Sequence, residues 1–229
     1  MRMKMSRFFA LACSLVLVGG SARAALLNLT PQTGAPDLFA SFINVSYTAS
    51  DKTFAATGFS DTYYPAWGNG SSGTALGAGS WKLTATLGAD NGITGGHLDV
   101  YNNFGDESPG DLLLSGNLVT GAAGQVFGFS NVGAANHDEF DFLFQVQGGS
   151  LASDYLVWGN IGAIILNADF ASGGTPFTGD WSKNFSNAGS GDSQTFVPEP
   201  AKYGFAAMVV AVLGAGVAQF KRSRFCVVS

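Results

Sequence analysis

The feature that most constrains this chain is an alternation of apolar and polar residues with a period of two. Phe140, Phe142, Phe144 and Val146 alternate with Asp141, Leu143, Gln145 and Gln147. Ile43, Val45 and Tyr47 stand against Asn44, Ser46 and Thr48, and Trp81, Leu83, Ala85 and Leu87 against Lys82, Thr84 and Thr86. Successive side chains of a strand point to opposite faces, so each stretch reads as a half-buried strand. The same pattern predicts strands over 52–59, 93–101, 111–119, 124–130, 161–167 and 176–185. Turn signals separate them, at Gly68-Asn69-Gly70, Asp90-Asn91-Gly92, Gly148-Gly149 and Gly173-Gly174. Glycine fills 32 of 229 positions, about twice the usual share. Between residues 25 and 196 no apolar period of 3.6 persists for three turns. Only Asp154 to Trp158 is ambiguous, reading as a short helix or a strand alike. About nine short strands with close turn signals predict an all-β fold, a single antiparallel β-sandwich or jelly-roll-like domain.

Both ends of the chain depart from this pattern. Arg2, Lys4 and Arg7 precede the apolar stretch Phe8 to Val18, which leads to Ala22-Arg23-Ala24. A basic start, a short apolar run and a small-x-small triplet define a secretory signal peptide, cut after Ala24. Ala10 stands where a lipidation site has leucine, so Cys13 is read as packing within the signal. At the other end, Tyr203 to Phe220 carries no charge over 18 residues. As a helix that is about 27 Å, enough to span a bilayer. Lys221, Arg222 and Arg224 follow, and flanking positive charge marks the cytoplasmic side. Val197, Pro198, Glu199 and Pro200 precede the span, and the prolines predict an extended, accessible tether.

Val197-Pro198-Glu199-Pro200, an apolar span and Lys221-Arg222-Ser223-Arg224 together resemble the PEP-CTERM sorting signal of Gram-negative, polysaccharide-producing bacteria. The resemblance covers about 30 of the 229 residues. It implies recognition by a membrane-embedded exosortase that cleaves near the Pro-Glu-Pro motif, after which the protein reaches the cell surface or medium. It also implies an inner-membrane-anchored precursor. The interior resembles, more loosely, the glycine-rich β-domains carried in front of such tails, through Leu38 to Tyr47, Ser80 to Thr86, Phe140 to Phe144, Gly162 to Leu166 and Phe177 to Trp181. The chain thus divides into a signal peptide (1–24), a β-domain (25–196) and a sorting signal (197–229).

Charge narrows the partners of the domain. Of 11 basic residues only Lys52, Lys82 and Lys183 lie inside it, against 15 of the 16 acidic ones, a net charge near −12. Such a surface repels nucleic acid and anionic membranes and is compatible with cations or neutral glycans. The domain contains no cysteine, so packing or bound ions must hold it.

Catalytic signals are few. His97 and His137 are the only histidines, and there is no Gly-x-Ser-x-Gly turn or phosphate-cradling loop. Both histidines are read as solvated structural residues, and no catalytic residue is assigned. No cofactor is expected. Two acidic groups, Asp106, Glu107 and Asp111, and Asp138, Glu139 and Asp141, are the candidates for a structural Ca2+. Tyr63, Tyr64 and Trp67 put three aromatics in an expected loop, a candidate glycan contact. The sequence therefore predicts a non-enzymatic exported component of the cell surface or polysaccharide matrix. Its alternative is a carbohydrate-binding module with its site at Tyr63 to Trp67.

Overall fold

The computed structural model describes residues 26–102, 112–131, 137–170 and 173–199. The signal peptide with Ala22 and Ala24, the acidic group Asp106, Glu107 and Asp111, Pro200, the apolar span and Lys221, Arg222 and Arg224 lie outside the described residues. The chain is all-β. Its elements are β1 (Asp37–Thr48), β2 (Thr53–Tyr64), β3 (Thr74–Leu87), β4 (Ile93–Tyr101), β5 (Leu112–Leu118), β6 (Phe127–Asn131), β7 (His137–Gly148), α1 (Ala152–Leu156), β8 (Ile161–Asp169), β9 (Gly174–Thr175), β10 (Phe185–Asn187) and β11 (Gly191–Phe196).

The expected sandwich is corrected to a closed barrel. Strands β1, β2, β3, β4, β5, β7, β8 and β11 pair in that order, all antiparallel. The ring closes where β11 returns to β1, from Asp37↔Phe196 to Ile43↔Gly191. A sandwich would leave both of these strands as edges with unpaired backbone groups, and closure satisfies them in each other. Period two is common to both architectures, because it says only which side chains face in. The pairing of the first strand with the last decides between them.

Two ring positions are shared. Strand β7 pairs with β6 along its first half and with β5 along its second. Strand β1 likewise passes from β11 to β10. At that hand-over the side chain of Asn187 takes the place of a backbone partner: its Oδ1 accepts from Val45 N–H at 2.7 Å and its Nδ2 donates to Ile43 O at 3.0 Å.

Inward side chains fill the barrel. Phe144, fully buried, fits only because its neighbours lack a Cβ, which would come within 2.3 Å of its ring at Gly116 and 2.2 Å at Gly162. One rim is closed by aromatic rings. Phe177, Trp181 and Phe185 lie over Phe129 and Phe140, with Phe177 to Phe185 centroids 4.7 Å apart. The expected strand over 176–185 is therefore corrected to an irregular crossing that ends in β10. Its Phe177, Trp181 and Phe185 keep the spacing of one strand face. However, Gly179 (φ 77°) and the turn in which Ser182 N–H donates to Asp180 at 3.0 Å bend the backbone away from extension.

The opposite rim, where β1 begins and β11 ends, is closed by α1. Tyr155 of this helix is buried and donates to Thr195 O at 2.9 Å. Outside the barrel, Leu27 and Leu29 pack on Leu143, Ala163 and Phe196.

Candidate functional site

The terminal rim holds the first part of the expected sorting motif. Val197 is 1% exposed and Pro198 is buried. Pro31 and Pro198 face each other in an antiparallel bridge. Gln32 N–H donates to Val197 O at 2.8 Å and Glu199 N–H to Thr30 O at 3.0 Å. These are the flanking bonds of a non-hydrogen-bonded pair, so neither proline's missing N–H is needed. The expected accessible tether is corrected for Val197 to Glu199, which are docked on the domain.

The aromatic candidates are not brought together as a platform. Tyr63 and Tyr64 end β2 and do not lie in a loop. Tyr63 is 8% exposed and donates to Asp154 Oδ2 at 2.6 Å, which removes it as a glycan contact. Burial, and then Asp154, hold its hydroxyl pKa above the ordinary range. Tyr64 and Trp67 are half-buried, and with Phe39 they pack against one another. Their centroids lie 4.9 Å apart and their planes meet at 80°. The rim does expose an apolar run at the end of α1, with Leu156 50%, Val157 79% and Trp158 42% accessible.

The histidine expectations divide. The side chain of His137 lies outside the described residues. His97, on the outer face of β4, is bracketed by Asn117 Oδ1 at 2.8 Å and Asp99 Oδ1 at 3.0 Å, with Ser115 Oγ at 3.2 Å. Serine, histidine and aspartate are thus in contact. Ser115 and Asp99 nevertheless meet the same nitrogen, Nε2, whereas a proton relay needs them on opposite nitrogens.

Strand alternation also separates the second acidic group. Asp138 faces the same way as Phe140, while Glu139 and Asp141 face out. Among the described residues no group of three or more His, Cys, Asp or Glu is placed to hold a metal ion. Asp141 is instead buried beneath the N-terminal segment, its Oδ2 accepting from Leu27 N–H at 2.7 Å. Burial, with the negative charge of Glu139, raises its pKa to about 7. Asp37 is also buried, accepts from Gln194 Nε2, and has its pKa raised by burial to about 7.

One feature escaped the sequence reading. Phe42 is 68% exposed and has φ 51°, a conformation that costs a bulky side chain strain. It sits in a bulge, where the register of β1 shifts between Ser41 and Asn44 against β2 and between Ala40 and Ile43 against β11. The signal was present: Leu38 and Ala40 alternate on one parity and Ile43, Val45 and Tyr47 on the other, which requires an inserted residue. The bulge opens a groove of about 260 Å³ over β1, β2 and β3, lined by Phe42, Asn44, Thr57, Gly58, Phe59, Ser80, Trp81 and Lys82.

No family model, curated protein or solved structure matches this chain. The likeness to sorted surface proteins rests on the quoted residues alone.

Proposed function

We propose that this is an exported, non-enzymatic component of the cell surface or extracellular polysaccharide matrix. It is delivered by its signal peptide and sorted by an exosortase through Val197 to Pro200. The observation that carries this reading is the order of that motif, an uncharged span of 18 residues and Lys221, Arg222 and Arg224, behind a signal peptide. The barrel supports it in two ways. Its backbone pairing reaches as far as Glu199, whose N–H donates to Thr30 O, so a cut beyond that residue leaves these bonds in place. The exposed Leu156, Val157 and Trp158 lie on the rim from which the tail departs, and such a cluster suits the interface of a membrane that holds the precursor.

Intact mass of protein from the native host, with and without the sorting peptidase, tests the reading. The expected product lacks residues 1–24 and the span only when the peptidase is present. A span retained in both strains would make this a C-terminally anchored membrane protein and would end the sorting assignment.

A second reading, glycan binding, is favoured by a different observation from the one expected. Tyr63 is buried and the Tyr64 and Trp67 rings are nearly perpendicular, but the bulge at Phe42 exposes an aromatic ring beside polar side chains.

A further inference from the structure

We infer that the groove at the β1 bulge is a binding site for a neutral glycan, with the ring of Phe42 as its stacking surface. This goes beyond the sorting reading and does not depend on it.

Three observations converge on the groove. The first is conformational. Phe42 holds a left-handed backbone and a 68% exposed ring at once. Glycine or asparagine would take that φ at less cost, and a water-facing phenylalanine gains little from folding. Strain kept at an exposed aromatic is the pattern of a ligand-presenting position. Phe59 meets Phe42 edge-on, with centroids 6.3 Å apart, which holds the ring in place.

The second observation is an unsatisfied hydroxyl. Ser80 lines the groove, is 95% buried (5% exposed), and its Oγ has no hydrogen-bond partner. A buried hydroxyl without a partner is costly, and a ligand hydroxyl that displaced the cover over Ser80 Oγ would supply one.

The third is charge. The domain carries a net charge near −12, yet no carboxylate lines this groove, which presents amide, hydroxyl and ammonium groups on Asn44, Thr57 and Lys82. Polyanions are repelled by the surroundings. A purely apolar ligand would leave the Ser80 hydroxyl unpaired. An uncharged ring offers axial C–H groups to Phe42 and hydroxyls to Ser80, Asn44 and Thr57. A volume near 260 Å³ is below that of sites for drug-sized ligands and suits part of a chain lying across the barrel wall.

The test uses the full-length protein purified in detergent, with cellohexaose as the neutral probe and hexagalacturonate as the acidic one. Binding is followed by saturation-transfer NMR and titration calorimetry. Saturable binding of cellohexaose is expected. In Phe42→Gly it should weaken about tenfold or more, while the melting temperature holds or rises because the backbone strain is relieved. Ser80→Ala should weaken binding several-fold without loss of stability. That combination separates a site from a merely structural position, since a structural role would lower the melting temperature. Absence of cellohexaose binding at millimolar concentration overturns the proposal. So does unchanged binding in Phe42→Gly. Binding of hexagalacturonate alone overturns the neutral assignment, and uptake of an apolar dye at the groove without either sugar reassigns it to an apolar partner.

Discussion

The two rims of the barrel are sealed with different weights of apolar and polar contact. At the aromatic rim, Trp181 meets Tyr47, Phe129 and Phe177 with centroids 4.8 to 5.2 Å apart, and its Nε1 has no hydrogen-bond partner. Ring packing dominates that end, helped by the Tyr47 hydroxyl, which donates to Trp181 O at 3.1 Å. At the terminal rim the closing groups are polar: Tyr155 donates to Thr195 O, Tyr63 to Asp154, and the buried Asp37 accepts from Gln194. Apolar contacts are indifferent to pH, whereas buried carboxylates are not. The aromatic rings should therefore set how stable the barrel is, and the buried carboxylates, Asp37 of the terminal rim among them, how that stability responds to pH.

The largest expected effect comes from the aromatic side. Trp181→Ala removes a ring that touches the plug from several directions and should cost about 3–5 kcal/mol, by the same amount at pH 5 and pH 8, in chemical denaturation. A loss that changed with pH would break the contrast between the rims.

The terminal rim carries the next effect. A carboxylate that titrates near 3.8 in the unfolded chain and about 7 in the fold leaves the unfolded state with fewer bound protons between those pH values. Stability from Asp37 is then fully present below about pH 4 and falls as pH rises to about 7. Asp141 has the same sign and window. Asp37→Asn should stabilise the protein at pH 8, by up to a few kcal/mol, have little effect at pH 4, and flatten the denaturation midpoint against pH. A midpoint that rose from pH 4 to pH 7 in the parent protein would refute the assignment. Tyr155→Phe is milder. It removes the 2.9 Å bond to Thr195 O and keeps the ring, so about 1 kcal/mol is expected, measured by thermal melting.

The sequence made most of this contrast legible at the level of strands. Alternation at Phe140 to Val146 and at Trp81 to Leu87 named the inward residues correctly, because period two is a local property. Closure was not legible, since the contact of Asp37 with Phe196 joins opposite ends of the domain. Phe177, Trp181 and Phe185 misled for a related reason: spacing fits a strand face, but Gly179 and Asp180 turn the chain across the rim. Tyr63 looked exposed beside Pro65 and Gly68, yet it pairs across the ladder with Leu38, whose inward direction it shares. The Phe42 bulge could have been found from the parity switch between Ala40 and Ile43.

The smallest effect tests whether the terminal rim is also where folding and processing meet. Gln32 donates its N–H to Val197 O, and that bond, with Glu199 to Thr30, fastens the tail to the N-terminal segment. Gln32→Pro removes one donor and should cost about 1 kcal/mol or slightly less, too little to unfold a barrel whose other rim is untouched. Locally the change matters more, because a peptidase needs an extended, accessible backbone, and the two bonds help the burial of Val197 and Pro198 to hold the motif's first three residues against the domain. Limited proteolysis should therefore cut Val197 to Glu199 several times faster in Gln32→Pro, with the global melting temperature nearly unchanged. If cleavage there accelerates only in step with global unfolding, the tail is an integral part of the barrel wall. If it accelerates alone, the terminal rim opens independently of the aromatic one, and the polar seal gives access to the chain end while the apolar seal keeps the barrel folded.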